Sequence, residues 1–509
     1  MNPYDAPAAP HCAYATDDGI YELTTDVSAS PYYNADVAPT TLAERKWGTR
    51  DVAALWVGMC ACIPSYMLAS GLIEQGMNWW QAALTVTLGN VIILLPMMLN
   101  AHAGTKFGIP FPVYCRVSFG IRGANVAAML RALVACGWFG IQTWIGGQGI
   151  YVPLTIFFPD FASAPILFDG INLAEFACFL TFWAMTIYLI YAGMDSIRIF
   201  MNLATPILVG VPILLLWWAI DAADGLEPIL HAQTQLTKNE TAKTFGKLFV
   251  PGLTAIVGFW STLALNIPDF MRYAKSQRAQ MLGQAIGLPT TMGLYALVGV
   301  LVTSATIVVY KTPIWDPIQL LKRFEQPWVQ VVAMIALAAA TLSTNIAANV
   351  VGPANDFANL APKWISFKTG GLITGIIGIV IQPWKLLADA DKYFGWLTAY
   401  SALLGAICGI LIVDYFVVRK RWIDLPELYL RDGKYWYLGG FNPIAFAAFV
   451  CGVVPCLPGF LGKVGVIEMS PDSVWIQMYG YAWFISFAIA GAVYGLAMKP
   501  TAQQQAALA

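Results

Sequence analysis

Long apolar runs constrain this chain more than any other feature. A helix needs about 20 apolar residues to cross the hydrocarbon core of a bilayer. Twelve stretches approach or exceed that length: 52–72, 82–101, 127–151, 173–193, 199–220, 248–267, 284–309, 328–351, 369–384, 393–416, 441–461 and 474–497. Only 11% of the 509 residues are charged, against about 25% in soluble globular proteins. Backbone in hydrocarbon must satisfy its hydrogen bonds internally. The expectation is an all-α polytopic membrane protein with twelve transmembrane helices.

Charge asymmetry orients these spans. With a cytoplasmic N-terminus, the inner segments hold 18 Lys and Arg against 9 in the outer ones, with Arg131 inside a span. The short loops after spans one and three hold none. The positive-inside rule then places both termini in the cytoplasm, with "VVRKRW" (417–422) as the clearest anchor. The expected organisation is a loose N-terminal tail (1–47), a ten-helix inverted-repeat transport core (48–416), a basic loop with a two-helix hairpin (417–498) and a short tail (499–509). The polar start lacks a basic segment followed by an apolar run, which argues against a cleaved signal peptide.

A net charge of −1 points to no nucleic-acid partner, and no obligate protein partner is evident. The nine cysteines fall mostly in apolar runs, without metal-ligand spacing, and read as small apolar fillers. The three histidines, His11, His102 and His231, have no ligand or nucleophile partners nearby. Nucleophile-elbow, zinc-hydrolase and P-loop patterns are missing. An enzyme is therefore not expected, and neither is an organic cofactor.

Interruptions in membrane helices are tolerated where they line a cavity or are buried in protein. Span one contains "CACIPSYMLASG", with Gly58 before it and Pro64 inside it. Span six contains Gly258 and Phe259 beside Trp260, then Ser261 and Thr262. Breaks in spans one and six, corresponding members of two five-helix halves, point to an inverted-repeat transporter with a mid-membrane site. Ordinary Pro and Gly kinks are the alternative. Asp269 in "NIPDF" is expected at the cytoplasmic end, in a capping or gate-pairing role.

Two further constellations carry polar groups into apolar helices. Trp138 and Gln142 in "GWFGIQTWIGGQG" lie four residues apart and share a helix face. They present either a flat wall beside an amide or interhelical packing. Trp144 and Gln148 repeat the spacing on another face and are assigned to packing or an outer vestibule. In "ATLSTNIAAN" (340–349), Ser343 and Thr344 are adjacent hydroxyls and Asn345 and Asn349 share a face. Hydroxyls and carbonyls are hard oxygen ligands suited to an alkali cation, although Ser and Asn also bond neighbouring helices. No mid-membrane carboxylate is obvious, which weakens a proton relay.

The segments "ERKWGTRDVAALWVG" (44–58), "NAHAGTKFGIPFPVYCRVSFGIRGAN" (100–125), "WFGIQTW" (138–144), "NIPDF" (266–270), "STNIAANVVGPAND" (343–356) and "LGAICGILIVDYFVVRKR" (404–421) together resemble the nucleobase:cation symporter-1 family. "IPSY" and "NIPDFMRYA" look most like its bacterial allantoin permease branch, with uracil and hydantoin carriers close by. The resemblance implies a LeuT-like five-plus-five inverted repeat with two C-terminal helices. It also implies a bacterial inner-membrane symporter that imports a small planar ring, of allantoin, uracil or hydantoin type, with Na⁺ or H⁺. A carrier of the same fold for thiamine or another cyclic nitrogen compound is the alternative. By resemblance, Trp138 and Trp260 stack on the ring while Gln142 and Asn349 bond its amide edges. Ser343 and Thr344, with the backbone carbonyls of Ala340, Gly58 and Ala61, hold the cation. Two positions depart from the hydantoin-carrier pattern: Cys62 replaces Gln, and Phe259 replaces Gly. Both belong to the expected substrate site. Phe259 narrows the space beside Trp260, so allantoin or uracil is expected there in preference to a bulky 5-aryl hydantoin.

Overall fold

The computed structural model describes residues 12–15, 19–192, 210–232 and 245–498. His11, residues 199–209 of the predicted fifth span, Arg198, Lys238, Lys243 and the tail 499–509 lie outside the described residues. Among the described residues, eight helices are long and apolar enough to cross a membrane, and the bent pair Thr49–Cys60 and Ile63–Glu74 makes a ninth span. Three shorter apolar helices, Gly210–Ala222, Phe367–Val380 and Ala482–Ala497, fall at the predicted fifth, ninth and twelfth spans.

The interruption of span one has a local cause. Its first half ends at Cys60, and Ala61 (φ −76°, ψ 73°) leaves the helical region. Cys62 is extended at φ −143° and ψ 161°. Pro64 then sits in the first turn of Ile63–Glu74, where no amide hydrogen is required. The two halves diverge by 57°.

Span six corrects an expectation. Phe245–Asn266 is helical throughout, and Gly258 does not break it. A Cβ at Gly258 would instead strike Ser401 Oγ and the carbonyl of Leu397. The glycine serves close helix crossing, which needs small residues just as a break would. Span eight also runs further than expected, because Pro327–Asn349 continues into Val351–Leu360. Pro353 lacks the amide hydrogen that would bond the carbonyl of residue 349, and the helix bends at Val350 (φ −108°).

Contacts sort the spans into groups. Spans one, two (Trp79–Phe107), six and seven (Gln277–Tyr310) pack together as one bundle. Spans three (Ala124–Phe157), four (Leu173–Ala192), eight and nine form a second group. Span ten, Ala390–Val418, packs on spans eleven (Pro443–Lys463) and twelve. A short helix, Phe111–Phe119, is buried in full between spans two and three.

The described part of the N-terminal arm is not loose. Asn34 Nδ2 donates to the carbonyls of Pro362 and Ile365 at 2.8 and 3.0 Å. Arg45 donates to the carbonyls of Tyr21 and Thr40, and Thr40 Oγ1 donates to that of Arg272. These two Arg45 bonds stay within the arm, whereas Asn34 and Thr40 reach carbonyls just beyond the helices ending at Leu360 and Met271, and so hold the arm on the core. Arg419, in the basic anchor, is also buried: its Nε lies 2.8 Å from Asp414 Oδ2.

Candidate substrate and cation site

The candidate residues meet at the seam between the first bundle and the second helix group. Trp138 and Gln142 come from span three and are 4% exposed each. Phe259 and Trp260 come from span six. Phe259 stands edge-on to both tryptophans, with centroids 5.0 Å from Trp138 and 4.8 Å from Trp260. Trp260 in turn meets Trp56 of span one edge-on at 5.5 Å. An aromatic row therefore crosses the seam from Trp138 to Trp56.

Trp138 and Trp260 each have the indole hydrogen engaged. Trp138 Nε1 donates to Tyr400 Oη at 3.2 Å, and Trp260 Nε1 donates to Asn90 Oδ1 at 2.7 Å. Tyr400 marks the junction of Ala390–Ala399 with Ser401–Val413. Tyr393, about two turns earlier, also meets Trp138 edge-on at 6.1 Å and donates to the carbonyl of Pro64 at 3.1 Å. Span ten thus touches both the aromatic wall and the break in span one.

Gln142 Oε1 is buried without a hydrogen-bond partner. Leaving such an acceptor unpaired costs about 1–3 kcal/mol; Trp56 Nε1, in the same aromatic row, is likewise buried without a partner. Asn349 Nδ2 donates to Asn345 Oδ1 at 3.0 Å, and Asn345 Nδ2 donates to Thr143 Oγ1 at 3.1 Å. Asn345 is therefore the tie between spans eight and three. Asn349 keeps a carbonyl oxygen and a second amide hydrogen. Cys62 Sγ lies 3.2 Å from Ser65 Oγ, a local contact at the start of the second half-helix. Trp144 and Gln148 belong elsewhere: Gln148 Nε2 donates to Glu175 Oε1, and Trp144 packs on Trp384 at 5.7 Å.

Three of the expected cation residues meet at Thr344. Thr344 Oγ1 lies 3.2 Å from the carbonyl oxygen of Ala340 and 3.4 Å from that of Gly58. One hydroxyl thus links span eight to the last turn before the break in span one. Ala61 and Ala340 share a small apolar cluster with Tyr295, and Ser343 is buried beside Thr344. Neutral hydroxyl and carbonyl oxygens are the donor set a hard monovalent cation takes, and the residues present fit one.

Sequence reasoning missed an ion pair. Arg131 Nη1 lies 3.2 Å from Asp356 Oδ2, with both side chains fully buried. Asp356 falls beyond the predicted end of span eight, so its place in a helix was hidden. A lone arginine inside a span is itself a reason to search for a carboxylate. Asp269 takes the capping role expected of it, since its Oδ1 accepts from the amide of Phe111 at the start of the buried helix at 2.8 Å. Asn266 Nδ2 donates to its other oxygen at 3.2 Å.

Residues 39–486 match the family model described as permease for cytosine/purines, uracil, thiamine, allantoin. The chain belongs to this family, the nucleobase:cation symporters of type 1. Within it, the chain is 42% identical over 97% of its length to a purine-uracil permease of Arabidopsis thaliana, of which 81% is covered. It is 38% identical over 92% of its length to the allantoin permease of Bacillus subtilis, of which 93% is covered. Among solved structures it is similar to Mhp1, a family transporter in a closed conformation with bromovinylhydantoin bound. The TM-score is 0.70 at 24% identity, covering 92% of this chain and 95% of Mhp1. That likeness carries the fold, a LeuT-like polytopic membrane architecture. The homologues are permeases, so this family member is a membrane transporter, not an enzyme.

Proposed function

We propose that the protein imports a small planar ring bearing amide N–H and C=O groups, of the uracil or allantoin type, by cation-coupled symport. The observation that carries this reading is the unpartnered, buried Gln142 Oε1 on the same helix as Trp138. A ureide N–H would satisfy it, and Asn349 would supply the complementary donor and acceptor. Trp138 and Trp260 are the walls for the ring, with Phe259 and Cys62 setting its width. Aromatic stacking contributes about 0.5–1.5 kcal/mol per pair beyond burial. The related permeases carry purine, uracil and allantoin in their names, which supports the same substrate class here.

The coupling ion is proposed as Na⁺, held by Ser343 and Thr344 hydroxyls and the carbonyls of Ala340, Gly58 and Ala61. Occupation would tie span eight to span one and bias the bundle toward the outward-open state. Rocking of the bundle against the second helix group would then open the site inward. The proposed setting is a bacterial inner membrane, and the Lys and Arg bias supports cytoplasmic termini. Uptake of labelled uracil and allantoin into proteoliposomes, with and without an inward Na⁺ gradient, tests the reading. Gradient-driven accumulation is expected, and equal uptake in both conditions removes the Na⁺ assignment.

A further inference from the structure

We infer that Asn90 is a positioning residue for substrate recognition, acting through Trp260. This rests on the proposed ring site. Asn90 lies on span two, is 1% exposed and belongs to no constellation expected from sequence. Its amide orientation is determined by its two partners. Indole Nε1 is a donor only, so the atom facing Trp260 at 2.7 Å is Oδ1. The carbonyl of Val86 is an acceptor only, so the atom facing it at 2.7 Å is Nδ2. Both partners give the same orientation, and reversing the amide would break both bonds.

The aromatic neighbours of Trp260 make no hydrogen bond to its indole nitrogen. Phe259 and Trp56 meet it edge-on, at interplanar angles of 86° and 75°. The hydrogen bond to Asn90 is short and directional. A stacking wall must present its face at a set angle, and a misplacement of about 1 Å can cost much of its benefit. Trp138 is held comparably, by Tyr400 at 3.2 Å. Each proposed wall thus has its own acceptor on a helix that supplies no other proposed ligand contact. Asn90 lies on the same bundle as Trp260, so the pair can move together while the bundle rocks.

The simpler reading is that Asn90 only joins spans two and six. That role already has another carrier: Asn100 Nδ2 donates to the carbonyl of Ala264 at 2.8 Å. The two roles differ in what their loss does. Asn90→Leu keeps the branching at Cγ and orphans the indole hydrogen, whereas Asn90→Asp keeps an oxygen that can accept from it.

The test is uptake kinetics of labelled uracil and allantoin in proteoliposomes, paired with ligand-free thermal midpoints. Asn90→Leu is expected to raise KM about tenfold for whichever ring the wild type carries, with Vmax within about twofold. Asn90→Asp is expected to restore KM. An unchanged KM in Asn90→Leu overturns the inference, as does a KM that rises equally in Asn90→Asp. If Asn90→Leu does not fold, Asn90→Ala carries the same expectation. Failure of both to fold while Asn90→Asp folds assigns the contact to structure and also overturns it. Lack of uptake by the wild-type protein is a separate result, and it counts against the ring site itself.

Discussion

Phe259 stands edge-on to Trp138, with ring centroids 5.0 Å apart and planes at 76°. The phenyl ring thus takes space beside one proposed wall while its neighbour Trp260 supplies the other. Removing it should widen the slot. Phe259→Gly is expected to admit 5-aryl hydantoins better than the wild type does, at a helix cost of about 1 kcal/mol. Competition of labelled uracil uptake by benzylhydantoin checks this, and equal competition in both proteins counts against a steric role.

Gln142 and Gln148 lie on one helix but in different surroundings. Gln142 Oε1 has no partner in the fold, whereas Gln148 is bonded to Glu175. Gln142→Ala is expected to abolish uptake, or to raise KM at least about tenfold through loss of one or two buried hydrogen bonds. Gln148→Ala is expected to retain uptake. Similar losses in the two variants would contradict the assignment.

Thr344 Oγ1 lies within 3.4 Å of carbonyls on two helices. Thr344→Ala removes this oxygen and keeps the helix. The expected result is loss of Na⁺ stimulation, with residual uptake no longer dependent on Na⁺ concentration. A Na⁺ titration of initial rates checks it. A curve that superimposes on the wild type would place the cation elsewhere.

Gly352 lies against the Arg131 guanidinium, where an added Cβ would clash with both terminal nitrogens. Gly352→Ala is therefore expected to strain the buried pair with Asp356 and to destabilise by about 1–3 kcal/mol, as overpacking does. A lowered thermal midpoint of the ligand-free protein is the readout. An unchanged midpoint would mean that the pair yields without cost.

The spans were legible because hydrocarbon demands long apolar runs, and the break in span one because Pro64 cannot continue a helix without loss. Gly258 was read as a break because glycine permits both broken backbone and close crossing, and only the neighbouring Leu397 and Ser401 distinguish them. Asp356 was hidden by its setting, since "VGPAND" reads as a loop until the bend at Val350 is seen. Its partner Arg131 lies 225 residues earlier, beyond any local pattern. Asn90 and Tyr400 were invisible for the same reason: each is an ordinary residue in an apolar run until its tryptophan partner is placed beside it. The hydroxyl pair Ser343–Thr344 was conspicuous because two adjacent hydroxyls are costly in an apolar helix.

The ring site is tested most directly by thermal-shift measurements on purified protein with uracil, allantoin, hydantoin and thiamine, repeated in Gln142→Ala. A ligand that binds the folded state stabilises it by about 2.7 kcal/mol at a hundred times its Kd. Uracil or allantoin is expected to raise the midpoint of the wild type and to leave that of Gln142→Ala unchanged. A rise with thiamine alone, or an equal rise in both proteins, would contradict a ureide-binding site at Gln142.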